Sequence, residues 1–227
     1  MAPEIRTERL YREAANGLSV SGFLHSTTGK PSRGIVLTHG AGGNCNSPLL
    51  IALSDEFARN GFLALRCDLL FRQARPKGPP RPGDASKDRA GLKQAAQVVR
   101  EITGGVVLLG GQSYGGRQAS MLTAEEPDEA SGLVLLSYPL HPPGKPERLR
   151  TEHFPKIRVN ALFVSGTSDP FATIEELRHA VKMIPSRTKI LPADGVGHDL
   201  GFGAKKRGNP ELAKHVYQVA MELFASH

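Results

Sequence analysis

The sequence predicts an α/β fold with a mostly parallel central sheet flanked by helices. Two observations carry this expectation. Short apolar runs alternate along the chain with helical patterns, the order in which parallel strands and crossover helices are laid down. The runs at 106–109, 133–136 and 161–164 are also continuously apolar rather than alternating, as strands buried on both faces require.

Taken in order, Leu18, Val20 and Phe23 suggest an early hairpin strand, 29–33 is a turn, and 34–38 is the first fully apolar strand. Asn46-Ser47-Pro48 announces a helix with proline in its first turn; Leu49, Leu53 and Phe57 recur every four residues, and Gly61 ends it. Phe62–Cys67 is the next strand. Segment 72–84 holds four prolines and two glycines and reads as a loop. Leu92, Ala95, Ala96 and Val99 mark an amphipathic helix ending near Gly104-Gly105. Thr173 and Glu176 form a capping box opening a further helix, 189–191 is a last short strand, and Asn209-Pro210 begins a closing helix whose apolar face carries Leu212, Val216, Val219 and Leu223. No repeat, low-complexity tail or linker divides the 227 residues, so a single domain over 1–227 is expected.

Composition narrows the function classes. Twenty-nine Lys+Arg against 22 Asp+Glu give a net charge of +7. The basic residues are scattered, apart from Lys205, Lys206 and Arg207 and the spread of Arg72, Arg75, Lys77 and Arg81. With no tryptophan and four tyrosines, that argues against nucleic-acid binding. Cys45 and Cys67 have neither zinc nor disulfide spacing, so no metal is expected. The N-terminus lacks the apolar stretch of a signal peptide and no run is long enough to span a membrane, which leads to the expectation of a soluble cytoplasmic protein.

The chemistry-bearing residues fall just after predicted strands, where α/β sheets assemble their sites. Strand 106–109 runs into Gly110-Gly111-Gln112-Ser113-Tyr114-Gly115-Gly116, which contains Gly-x-Ser-x-Gly. In so tight a strand-to-helix turn, side chains at 111 and 115 would meet neighbouring backbone. Glycine at both lets Ser113 adopt a strained conformation with its hydroxyl exposed. The same glycines match neither a dinucleotide loop nor a P-loop, since Arg117 and Gln118 stand where lysine and a hydroxyl are needed. A serine nucleophile needs a base, and His198 follows the last strand in a glycine-bracketed, flexible loop. The base needs an orienting carboxylate, for which Asp169 follows strand 161–164. Backbone N–H groups of Tyr114 and of Ala41, in the glycine-rich loop after the first apolar strand, are the expected oxyanion donors. His39 reads as ordering that loop, Cys45 as a small packing residue, and His141 as part of a rigid proline-bounded wall.

The chain order Ser113, Asp169, His198 and the loop beginning His39-Gly40 resemble the α/β-hydrolase superfamily over about residues 30–200. More narrowly, segments 38–43, 110–117 and 138–145 resemble the dienelactone-hydrolase-like group that includes testis-expressed protein thirty. The resemblance implies the α/β-hydrolase fold and a Ser-His-Asp triad, but no particular substrate. Dienelactone hydrolases proper carry a cysteine where this chain has Ser113.

These readings lead to a serine hydrolase for small carboxylic esters or thioesters, with Gly40, Gln112, Tyr138 and His141 lining the substrate site. No cofactor is needed; the expected partner is a small-molecule acyl substrate, and the expected state a monomer or homodimer. Only 24 residues separate Leu136 from Ala161, with one short helix expected at 147–152. The site should therefore be open, without a large lid. Arg72, Arg75 and Arg81 are candidates to face acidic substrates at its rim. A noncatalytic interaction module on the same fold, or a peptidase, are the alternatives.

Overall fold

The computed structural model describes residues 3–203 and 209–225; the basic run at 205–207 lies outside them. Among the described residues eight strands form one sheet: β1 (Arg6–Glu13), β2 (Ser19–Ser26), β3 (Arg33–Thr38), β4 (Phe62–Cys67), β5 (Val106–Gln112), β6 (Gly132–Leu136), β7 (Ala161–Gly166) and β8 (Thr188–Ala193). Their spatial order is β1-β2-β4-β3-β5-β6-β7-β8. The β1–β2 and β2–β4 pairs are antiparallel and the other five are parallel. This is the α/β-hydrolase fold, as expected.

The helices α1 (Pro48–Arg59), α2 (Leu70–Ala74), α3 (Asp84–Thr103), α4 (Tyr114–Glu125), α5 (Ile174–Ala180) and α6 (Pro210–Ala225) cover both faces. Leu50, Leu53 and Phe57 of α1 pack with Leu212, Val216 and Val219 of α6 on one side. Leu92, Ala95 and Val99 of α3 join Ala119 and Leu122 of α4 and Leu177 of α5 on the other. The Phe57 ring is fully buried edge-on against Phe62 and Tyr217, so its truncation to alanine costs about 3–5 kcal/mol. Caps follow the sequence signals: Gly61 takes φ +83° just past α1, and Thr173 and Glu176 exchange both bonds of a capping box.

Three local expectations are corrected. Strand β1 gave no apolar alternation because it is a sheet edge with almost every side chain exposed. The 72–84 loop begins only after α2, which is too short to show a helical period and contains Arg72. The helix expected at 147–152 is a series of turns, followed by a 3₁₀ turn at Phe154–Lys156. A helix would direct the Arg150 N–H to the Pro146 carbonyl four residues back, and here a more distant acceptor takes it. The turns are held by Arg150 N–H to the Leu140 carbonyl and Tyr138 O–H to the Arg150 carbonyl, each at 2.8 Å. Among the described residues no helix is long and apolar enough to cross a membrane.

Candidate active site

The turn between β5 and α4 carries Ser113 at φ +51° and ψ −115°, outside the regions a non-glycine residue favours. Its flanking glycines are required by contact. A Cβ on Gly111 would lie 2.6 Å from Thr38 Oγ1 and 2.7 Å from the Thr38 carbonyl, and one on Gly115 would lie 2.6 Å from the His39 carbonyl. The turn therefore presses on the end of β3. Gly40, in the loop that follows, comes so close that a Cβ there would touch the Cβ of Ser113 at 3.4 Å.

His198 Nε2 lies 2.9 Å from Ser113 Oγ, and His198 Nδ1 lies 2.8 and 3.0 Å from the two carboxylate oxygens of Asp169. A carboxylate only accepts, so Nδ1 carries the proton and Nε2 is left with the lone pair facing the serine hydroxyl. The Asp169 side chain is fully buried and also accepts the Phe171 N–H at 2.9 Å. Phe171 then lies over the imidazole, ring centroids 4.2 Å apart, a contact with no sequence signal.

The histidine loop is pinned rather than free to swing. Ser168 N–H donates to the Val196 carbonyl, Gly195 N–H to Thr167 Oγ1, and Gln112 Nε2 to the carbonyl of His198 itself at 3.1 Å. Thus the Gln112 amide, expected to contact substrate, is engaged with the backbone of His198.

The loop after β3 is ordered by two buried side chains. His39 Nδ1 donates to the Gly40 carbonyl at 2.8 Å and Nε2 accepts from Leu69 N–H at 3.2 Å, the pattern of a neutral imidazole. Burial lowers its pKa, in keeping with that form. Arg72 spans the same loop, donating to the carbonyls of Gly43, Ala41, Arg75 and Gly78. It is nearly inaccessible, so the expectation that it faces acidic substrates is corrected. Arg75 bonds Asp84 at 2.7 Å and holds that carboxyl below its usual range, while Arg81 stays exposed.

Tyr114 begins α4, where the first N–H groups have no partner within the helix. Its side chain turns away, donating to Asp88 at 2.8 Å. Asp88 also accepts Phe71 N–H, and burial raises its carboxyl. From α3 it braces the turn that carries Ser113, which no motif indicated.

Two expected substrate residues are misplaced. Tyr138 is 1% exposed within a cluster with Phe154 and Phe163, so it is core and touches no ligand. His141 is 5% exposed, its Nδ1 against the Pro142 carbonyl and its Nε2 3.3 Å from Glu176, so little of the ring is left to meet a substrate. Cys45 is buried with its thiol pushed up to about 12, mainly by desolvation, as a packing residue should be. No group of three or more His, Cys, Asp or Glu able to hold a metal occurs among the described residues. A cavity of about 790 Å³ lies at the opposite end of the sheet, lined by Arg33, Phe62, Val106, Tyr217, Met221 and Phe224, remote from Ser113.

Three solved structures share this architecture. Dienelactone hydrolase from Anabaena variabilis is 19% identical with a TM-score of 0.71, covering 100% of this chain and 99% of its own. Est1E from Butyrivibrio proteoclasticus is 16% identical with a TM-score of 0.74, covering 96% and 99%. A Pyrococcus furiosus esterase is 13% identical with a TM-score of 0.74, covering 96% and 91%. At such identities these likenesses establish the fold. The family itself is established by residues 31–226, which match the model of the alpha/beta hydrolase domain, and the chain belongs to that family.

Proposed function

We propose that this protein is a serine hydrolase of the carboxylesterase or thioesterase kind, acting through an acyl-enzyme. The observation that carries the reading is His198 held between Ser113 Oγ at 2.9 Å and Asp169 at 2.8 Å, with Ser113 on a strained turn. Nothing in core packing demands those three residues together.

In this mechanism Ser113 Oγ passes its proton to His198 Nε2 as it attacks the acyl carbon. Asp169 keeps the proton on Nδ1 and stabilises the imidazolium that forms. The oxyanion is received by the N–H groups of Ala41 and Tyr114. His198 then gives its proton to the departing alcohol or thiol, leaving Ser113 acylated. A water loses its proton to His198, attacks the ester carbon, and releases the acid with Oγ reprotonated. The His198 side chain is 26% exposed, consistent with a site reached directly from solvent and suited to small acyl groups. Motif resemblance supports placement beside the testis-expressed protein thirty type.

The test is labelling with a fluorophosphonate probe, beside Ser113→Ala and His198→Ala, followed by hydrolysis of short-chain nitrophenyl esters. Labelling and turnover are expected in the wild type and in neither variant. A folded wild type that does neither would sink the proposal in favour of a noncatalytic interaction module.

A further inference from the structure

The cavity of about 790 Å³ at the far end of the sheet takes no part in the proposed reaction. The strand register places its floor. Arg33, the first residue of β3, lies beside Phe62, which opens β4, and beside Val106, which opens β5. Met221, Phe224 and Ala225, in the last turn of α6, supply a wall. Gly132 admits that wall, since a Cβ there would meet the Phe224 ring at 2.6 Å. Asn160 ties the sheet to α6: its Nδ2 donates to the Leu223 carbonyl and its Oδ1 accepts the Arg187 N–H, each at 3.2 Å. Within this frame Val106 is 50% exposed, a large apolar side chain left in water.

The charges around this apolar surface have one sign. Among the described residues, Arg33, Arg158 and Arg187 line the cavity and no Asp or Glu does. The Arg33 guanidinium lies 4.6 Å from the centre of the Phe62 ring, a contact that holds it against the floor. Arg158 Nη1 donates to the Pro155 carbonyl at 3.1 Å. Neither Arg33 nor Arg158 forms an ion pair with a described carboxylate. On α1 and α6, Glu56 bonds Arg59 and Asn60, and Glu222 bonds Lys189. The volume falls within the range of about 300–1,000 Å³ typical of small-molecule sites. An apolar floor edged by guanidiniums matches a ligand with an apolar body and an anionic head. The carbonyl end of α6 brings partial negative charge to the same wall, which favours one charge on that head over two.

We propose that this cavity binds a fatty carboxylate, its head on Arg33 with a second positive charge from Arg158, and its chain against Val106, Met221 and Phe224. The site stands at the opposite end of the sheet from Ser113, so its occupant is a bound ligand and not the reacting substrate. Binding there does not depend on the serine-hydrolase reading.

The test titrates decanoate, decanol and decyl phosphate calorimetrically, each below the concentration at which it forms micelles. The proteins are the full-length wild type, Arg33→Gln, Val106→Trp and, as a control at the other end of the sheet, Arg81→Gln. Decanoate is expected to bind, with decanol weaker by about tenfold or more and decyl phosphate weaker by about threefold. Arg33→Gln should weaken decanoate by about tenfold and leave decanol unchanged, which separates the charge from the apolar contacts. Val106→Trp should fill the cavity and abolish binding of both, while Arg81→Gln matches the wild type. Arg33 and Val106 are exposed, so both variants should keep the wild-type melting temperature and serve as folded proteins. Absent decanoate binding, decanol or decyl phosphate binding as tightly as decanoate, or binding that survives Val106→Trp overturns the proposal. So does a dimer in light scattering that Val106→Trp dissociates, since the face then belongs to a second copy of the chain. Decanoate binding in a wild type that no fluorophosphonate labels strikes the serine-hydrolase reading and leaves this site supported.

Discussion

His39 Nδ1 donates to the Gly40 carbonyl at 2.8 Å, on the side of the peptide opposite the Ala41 N–H. The Gly43 N–H holds the same carbonyl at 3.0 Å. The peptide is trans and planar, so fixing the carbonyl also fixes the N–H antiparallel to it. His39 thereby sets the direction of the Ala41 N–H, the proposed oxyanion donor, without touching it.

Replacing His39 by phenylalanine should keep the ring that packs edge-on against Phe71 while removing the donor. The Leu69 N–H also loses its acceptor, so a stability loss of about 1–3 kcal/mol is expected. Ester hydrolysis should fall in kcat by about ten- to hundredfold with little change in KM, since the interaction lost belongs to the transition state. A KM effect alone would place His39 in binding instead.

Arg72→Met should act on the same loop from its other side. Four carbonyls lose their donor, and the Ala41–Gly42 and Gly43–Asn44 peptides of the loop are freed. Hydrolysis of neutral and acidic esters should fall by the same factor, with a lower melting temperature. A selective loss with acidic esters would return Arg72 to the substrate rim.

Stability should decline on mild acidification. Burial first, with the nearby Arg117 charge, lowers His153 from 6.5 to about 4. The unfolded chain takes up this proton near pH 6.5 and the folded chain only near 4. The unfolded state therefore binds more protons between these values. The contribution is complete above about 6.5 and is lost as pH falls toward 4; His39, lowered by burial, acts in the same direction. His153→Phe leaves the Ser120 hydroxyl its bond to the Arg117 carbonyl and should flatten the melting temperature between pH 7 and 4.5. Parallel curves for the two proteins would refute this.

Residue order carried what is local in this molecule. Buried strands appear as apolar runs because both faces are covered, and α1 and α5 announce themselves through Pro48 and the Thr173–Glu176 box. Gly-x-Ser-x-Gly at 111–115 was legible because one tight turn dictates its glycines, and Asp169 and His198 because each follows a strand end. Edge strand β1 escaped notice because a strand that buries nothing has no pattern to show.

Only the tertiary structure decided which polar side chains remain available. Arg72 and Tyr138 carry the same chemical groups as site residues. The loop carbonyls claim the first, and the aromatic core under the 138–153 turns claims the second. Conversely, the Arg117 Nε is buried with no hydrogen-bond partner, which nothing in the residue order of α4 indicated. Whether a charge is matched depends on neighbours far apart in sequence, because burial removes the water that would otherwise satisfy it.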